Sequence, residues 1–211
     1  MATSVQTPHG PAAAHLHPVD TPRGALVLGH GAGGGIEAVD LVATTEVANA
    51  SGFTVVLVEQ PYRVAGRRGP PRAPVLDETW TAVLAHLSDG PLAGLPLVVG
   101  GRSSGARVAC RTALAAGAVG VLCLAFPLLP PTQAGRPPRD SRLHELEAAG
   151  VPVLVVQGLT DPFGMPDPAP GRTVVPIKGD HALRGDLPGL RAAVGEWLTD
   201  PVRVSPGQWL R

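Results

Sequence analysis

A chain of 211 residues is long enough to close one hydrophobic core without staples. Its 17 basic and 17 acidic residues cancel, which argues against a nucleic-acid footprint spread over the protein. The 27 glycines and 24 prolines approach a disordered composition, but strongly apolar runs lie between them, so these residues are assigned to loops.

The opening residues, MATSVQTPHG, have neither a basic start nor an apolar stretch and do not read as a secretory signal. Residues 1–23 are predicted to form a hairpin turning near positions 8 to 10, or a partly flexible segment. His15 and His17 in this region lack a cysteine or carboxylate companion at metal-ligand spacing and read as structural or exposed. Six short runs follow: ALVLGH at 25–30, FTVVLVEQ at 53–60, LPLVVGG at 95–101, VGVLCLAF at 119–126, VPVLVVQG at 151–158 and RTVVPIKG at 172–179. They are apolar nearly throughout, as strands of a parallel sheet covered on both faces must be. Helical spacing occupies the intervals, at 36–50, 74–89, 104–116 (stopping at Gly117) and 186–199. Strand alternating with helix predicts one doubly wound α/β domain over 1–211, with a tail at 200–211. No run is long enough to cross a bilayer, and Cys110 and Cys123 read as buried free thiols, so the expected location is cytoplasmic.

Functional residues of such sheets gather beyond the carboxyl ends of the strands. There the third run leads into Gly101-Arg102-Ser103-Ser104-Gly105, a G-x-S-x-G pattern between strand and helix. A nucleophile on a sharp, strained turn needs small residues two positions to either side, which selects Ser103 over Ser104. The Ser104 N–H at the helix start is placed to help hold an oxyanion. The fifth run ends in GLTDPFG and the sixth in KGDHAL, so Asp161 and then His181 follow the serine in the order of a serine–acid–histidine relay. His181 would take the hydroxyl proton and Asp161 would orient the ring. Asp180 and Asp167 are rivals for the acid, the first awkwardly adjacent to His181 and the second deep in a proline-rich loop.

The loop GHGAGGG at 29–35 supports two readings. Gly29, Gly31 and Gly34 satisfy G-x-G-x-x-G, and Glu59 ends the next run where a ribose-binding acid would lie, as in a nicotinamide-dependent enzyme. In a hydrolase the same loop supplies the second oxyanion donor, the N–H of Ala32 with Gly33 as second choice, and His30 fixes the loop. The hydrolase reading accounts for more residues and needs no cofactor.

Together LVLGHGAGGG, VEQPYRVAGRR, VGGRSSGARVA, LAFPLLPP, VLVVQGLTDPFG and GDHAL resemble the α/β-hydrolase superfamily from about residue 24 to 199. Within it the chain resembles the small dienelactone-hydrolase-like proteins related to testis-expressed and NSL-complex hydrolase-like subunits. The resemblance implies an α/β-hydrolase fold with a mostly parallel sheet of about eight strands and no separate cap domain. It also implies Ser103, Asp161 and His181 as nucleophile, acid and base. Dienelactone hydrolases carry a cysteine nucleophile, so their particular reaction does not transfer to Ser103.

Tyr62, Phe126 and Phe163 fall at or after strand ends and are candidate pocket walls. Arg102 stands beside the nucleophile, with Arg63, Arg67, Arg68, Arg136 and Arg139 near the same rim; some of these would attract an acidic acyl substrate, against the plainer reading of solvated loop charge. The expected activity is a serine hydrolase, carboxylesterase- or thioesterase-like, cleaving an activated acyl bond of a small soluble substrate through an acyl-enzyme. The alternatives are a non-catalytic interaction module on the same scaffold and the nicotinamide enzyme. Association with itself or with a protein partner is compatible with any of them.

Overall fold

The computed structural model describes residues 2–131 and 140–200. The hairpin is present as β1 (Ala2–Thr7) and β2 (Gly10–His17), paired antiparallel. The six apolar runs form β3 (Gly24–Gly29), β4 (Phe53–Glu59), β5 (Leu97–Arg102), β6 (Gly120–Leu124), β7 (Val153–Gly158) and β8 (Arg172–Ile177). Helices occupy the intervals as α1 (Val39–Ala50), α2 (Pro61–Val64), α3 (Ala73–Ser88), α4 (Ser104–Thr112), α5 (Leu143–Glu147) and α6 (Leu187–Thr199).

The eight strands make one sheet in the order β1-β2-β4-β3-β5-β6-β7-β8. From β4 across to β8 every pairing is parallel, and β2 joins β4 antiparallel. All residues of β3, β6 and β7 are buried, which is why these runs show no polar alternation. Successive residues still face opposite layers. Val27, Val99 and Val155 pack with Leu84 of α3 and Ala109 of α4 on one side. On the other, Leu26, Val98 and Leu154 pack with Leu41 of α1 and Leu190 of α6. Cys110 and Cys123 are free, buried thiols with their sulfurs 3.4 Å apart. Among the described residues no helix is long and apolar enough to cross a membrane.

Two helix ends differ from the expectation. The first long helix begins at Val39, because residues 30–38 form an open loop instead of entering the helix directly. The helix expected over 104–116 stops at Thr112, whose hydroxyl donates back to the Val108 carbonyl. Turns carry the chain on to Gly117, which reverses it at φ 64°.

β3 lies between β4 and β5, so the chain leaves β3 toward one edge of the sheet and later returns on its other side. The crevice of this sheet therefore opens where the loops after β3 and β5 part. Here the backbones meet closely. A Cβ on Gly101 would lie 2.4 Å, and one on Gly105 2.3 Å, from the Gly29 carbonyl oxygen. Backbone would have to move to admit either. Gly105→Ala is expected to destabilise the protein by about 3 kcal/mol, the upper end of overpacking costs. Gly33→Ala, with nothing within 4 Å of its Cβ position, is expected to be near neutral. Thermal unfolding checks this: a Tm at least about 6 °C lower for the first variant, and almost unchanged for the second.

Candidate active site

Three strand ends carry the expected side chains. Ser103 follows β5 in a left-handed conformation, φ 52° and ψ −107°, held by its N–H to the Leu124 carbonyl at 2.9 Å. A bulky residue would not be forced there without such anchoring. Asp161 sits in the turn after β7, its N–H donating to Gly158 and its carbonyl accepting from Gly164. His181 follows β8 through Gly179 and Asp180. The Asp180 carbonyl would be only 2.3 Å from a Cβ on Gly158, so the acid and base loops are pressed together at a glycine.

The three groups form one hydrogen-bonded chain. His181 Nε2 lies 3.0 Å from Ser103 Oγ, and Nδ1 lies 2.7 Å from Asp161 Oδ2. An ionised carboxylate only accepts, so the ring carries its proton on Nδ1 and presents the Nε2 lone pair to the hydroxyl. The Asp161 side chain is fully buried, and that of His181 remains one-fifth exposed. Phe163 packs edge-on against the imidazole, with ring centroids 4.6 Å apart. Asp180 and Asp167 take no part. The Asp180 carboxylate accepts the Ala182 N–H, and Asp167 offers its backbone carbonyl to Arg172.

Gln157 orients the acid. Its side chain is fully buried, and Nε2 is within hydrogen-bond reach of Asp161 Oδ2 at 2.8 Å, Gly164 O at 2.9 Å and Phe126 O at 3.1 Å. Flipping the amide would turn an oxygen on three acceptors, which fixes its orientation. The Phe163 N–H satisfies the other carboxylate oxygen at 2.9 Å. Sequence reasoning missed Gln157; the signal was a lone amide closing the apolar run VLVVQG.

Opposite the serine, the loop after β3 is fastened from below. The Gln60 N–H donates to His30 Nε2 at 3.1 Å, so the His30 proton resides on Nδ1 and donates to the Gly31 carbonyl at 2.8 Å. Burial pushes the His30 pKa down, partly opposed by that backbone bond, and keeps the ring neutral as the pairing requires. A trans peptide then turns the Ala32 N–H away from His30. Among the described residues no acceptor meets the Ala32 N–H. The Ser104 N–H, at the first position of α4, has no partner within its helix.

Three expected substrate contacts have other surroundings. Phe126 is fully buried in the core, so its ring offers no surface to a ligand. Tyr62 is buried beneath the loop, stands edge-on to His30, and donates its hydroxyl to the Ala32 carbonyl at 3.0 Å. The Arg102 guanidinium is engaged by Asp40 and by the His181 carbonyl. Arg67 and Arg68 are exposed, and Arg136 and Arg139 lie outside the described residues. Beside the elbow is a cleft of about 540 Å³, lined by Arg63, Arg102 and Arg184, by Glu37 and Asp40, and by Ala182 next to His181. Ser103 and His181 border it, and neither they nor Asp161 are among its lining residues. A second cleft, of about 580 Å³ between α2 and the hairpin turn, does not include Ser103, Asp161 or His181.

The dinucleotide geometry is absent from the glycine loop. Gly29 is packed against Gly105, α1 starts only at Val39, and the Glu59 carboxylate is bonded to His15 at 3.0 Å. A pyrophosphate site needs the helix N-terminus directly after the glycines.

A family model described as an alpha/beta hydrolase domain matches residues 22–174. No curated protein matches the chain. Among solved structures it is similar to an α/β serine hydrolase without a lid from Xanthomonas campestris, at 20% identity over 93% of this chain and 92% of that one, with a TM-score of 0.70. It is also similar to Est1E from Butyrivibrio proteoclasticus, at 16% identity over 95% and 98% of the two chains, with a TM-score of 0.72. A dienelactone hydrolase from Anabaena variabilis matches at 16% identity over 93% and 95%, with a TM-score of 0.70. At these identities the likeness establishes the fold.

The Gln157–Asp161 contact generates a test of the site's electrostatics. Gln157→Glu puts a second carboxyl where the amide donates, so like charges at 2.8 Å raise the proton affinity of the introduced group. A raised folded pKa means the folded state holds the extra proton, and stability falls as pH rises above the unfolded value of about 4.3. The Tm of this variant, measured against the unchanged protein, is expected to fall by at least about 4 °C between pH 5 and pH 8.

Proposed function

The chain belongs to the alpha/beta hydrolase domain family, and on that premise we propose that it is a serine hydrolase acting on an ester or thioester of a small substrate. The observation that carries the reading is the unbroken chain from Ser103 Oγ through His181 to buried Asp161, set on a strained elbow beside an open cleft. The likeness to the testis-expressed and NSL-complex proteins belongs to the same proposal, as does a cytoplasmic location, which the two free buried thiols favour.

Ser103 Oγ attacks the acyl carbon while its proton passes to His181 Nε2. Asp161 accepts from Nδ1–H throughout and stabilises the imidazolium. Negative charge develops on the former carbonyl oxygen, which the N–H groups of Ala32 and Ser104, both without a protein acceptor among the described residues, would receive. The intermediate collapses, Nε2–H protonates the departing alkoxide or thiolate, and the acyl group remains on Ser103. Water then gives a proton to Nε2 and attacks the acyl-enzyme, which releases the acid and restores the serine.

A fluorophosphonate probe tests the reading. It is expected to label the protein at Ser103, with no labelling of Ser103→Ala; equal labelling of the two would overturn it. Asp161→Asn is expected to lower kcat by about 10³- to 10⁴-fold, because the amide stabilises the wrong tautomer.

Besides the Arg102–Asp40 pair, the cleft is lined by Arg63 and Arg184 against one carboxylate, Glu37, and Arg63 Nε is buried without a hydrogen-bond partner. The two arginines favour an acyl or alcohol part that carries negative charge. Hemisuccinate esters should therefore show a higher kcat/KM than neutral esters of equal length, by about tenfold, as for one charge-assisted contact. Equal values would remove the charge from the proposed substrate.

A further inference from the structure

Arg102 immediately precedes the nucleophile, yet its guanidinium is turned into the protein. Nε lies 2.9 Å from Asp40 Oδ2, an ion pair without good hydrogen-bond alignment. One Nη donates to the His181 carbonyl at 3.0 Å. The other would be 2.9 Å from a Cβ on Gly31, so it lies directly against the loop that carries the Ala32 N–H. Four-fifths of the Arg102 side chain is buried.

Asp40 is fully buried in the first turn of α1, with Oδ1 accepting the Leu41 N–H at 3.0 Å. Burial pushes its carboxyl pKa up and the adjacent Arg102 draws it back. A buried carboxylate with one cationic partner fixes that partner strongly, because either charge alone would be stranded in low dielectric. Asp40 does not line up with Ser103 or His181 in the relay. It reaches them only through the guanidinium.

We propose that Arg102, anchored by Asp40, is a positioning residue that sets the His181 loop and the Gly31 loop at fixed distances from Ser103. The inference rests on the serine-hydrolase reading. One rigid planar group touches both loops and belongs to the residue that precedes the nucleophile in the chain. No other side chain among the described residues hydrogen-bonds to the His181 backbone. Lysine, a point charge on a flexible stem, cannot reach Asp40 and the His181 carbonyl together with the same geometry.

The test is a double-mutant cycle with Arg102→Gln and Asp40→Asn; Asp40 also borders the cleft, and Asp40→Asn keeps its volume while removing the charge. The readouts are the rate of labelling by a neutral fluorophosphonate, kcat and KM for a neutral and an anionic ester, and Tm. Each single variant is expected to lose about 10- to 100-fold in labelling rate and kcat, the scale of a small misplacement of reacting groups. KM should change by less than about threefold, equally for both esters. The double variant should be no slower than the slower single, since both remove one device. Arg102→Lys should recover only part of the loss.

A loss that appears as a raised KM for the anionic ester alone makes Arg102 a substrate contact and overturns the proposal. So does an Asp40→Asn protein with unchanged kcat, and so do strictly additive losses. If Arg102→Gln does not fold, Asp40→Asn decides by itself. Failure of the unaltered protein to label at Ser103 would overturn the hydrolase reading and this inference together; labelling with unaffected variants overturns the inference alone.

Discussion

The carboxyl end of β3 meets the end of β5 and the first turn of α4 at a crossing so close that a side chain would not fit. Gly29, Gly101 and Gly105 occupy that crossing, and the Gly29 carbonyl would be within 2.4 Å of a Cβ on either partner. The contact fixes where α4 begins relative to the sheet. Ser103, caught between the end of β5 and the start of α4, is forced to φ 52°, a conformation that costs about 1–3 kcal/mol. The same contact brings the loop after β3 against the elbow. Strain at one serine and the shape of the cleft therefore have a common steric origin.

Around this crossing, buried polar groups hold one another in series. Gln157 holds Asp161, Asp161 holds the His181 ring, and Arg102 holds the His181 backbone. On the facing side Gln60 fixes the His30 tautomer, while His30 and Tyr62 fix successive carbonyls of the loop. Several of these bonds join different strand ends (His181 to Asp161, Arg102 to His181, Gln60 to His30), so shifting one loop would strand buried polar atoms. The arrangement is the kind of preorganisation that the proposed acyl transfer needs, because dipoles already in place require no reorganisation as charge develops.

The sheet was legible because burial on both faces leaves unbroken apolar runs. The elbow was legible because the steric demand that excludes side chains also writes G-x-S-x-G. Asp161 and His181 could be found from chain order and strand ends, and Asp167 and Asp180 could be set aside only once the carboxylates had directions. Phe163 does stand against the His181 ring, whereas Phe126 was misread for a related reason. A strand end gives position along the chain, whereas the positive φ of Ala125 just before Phe126 helps decide which way the ring turns, here into the core. Asp40 carried no signal, since an acidic residue in the first turn of a helix is ordinary. Its pairing with Arg102 depends on α1 and β5 meeting across the sheet.

The most direct measurement is a crystal structure of the protein after reaction with a fluorophosphonate. The account predicts phosphorus bonded to Ser103 Oγ, with one phosphonyl oxygen about 2.7–3.1 Å from the N–H groups of Ala32 and Ser104. His181 should remain bonded to Asp161. An adduct on another residue, or a phosphonyl oxygen directed away from both N–H groups, would contradict it.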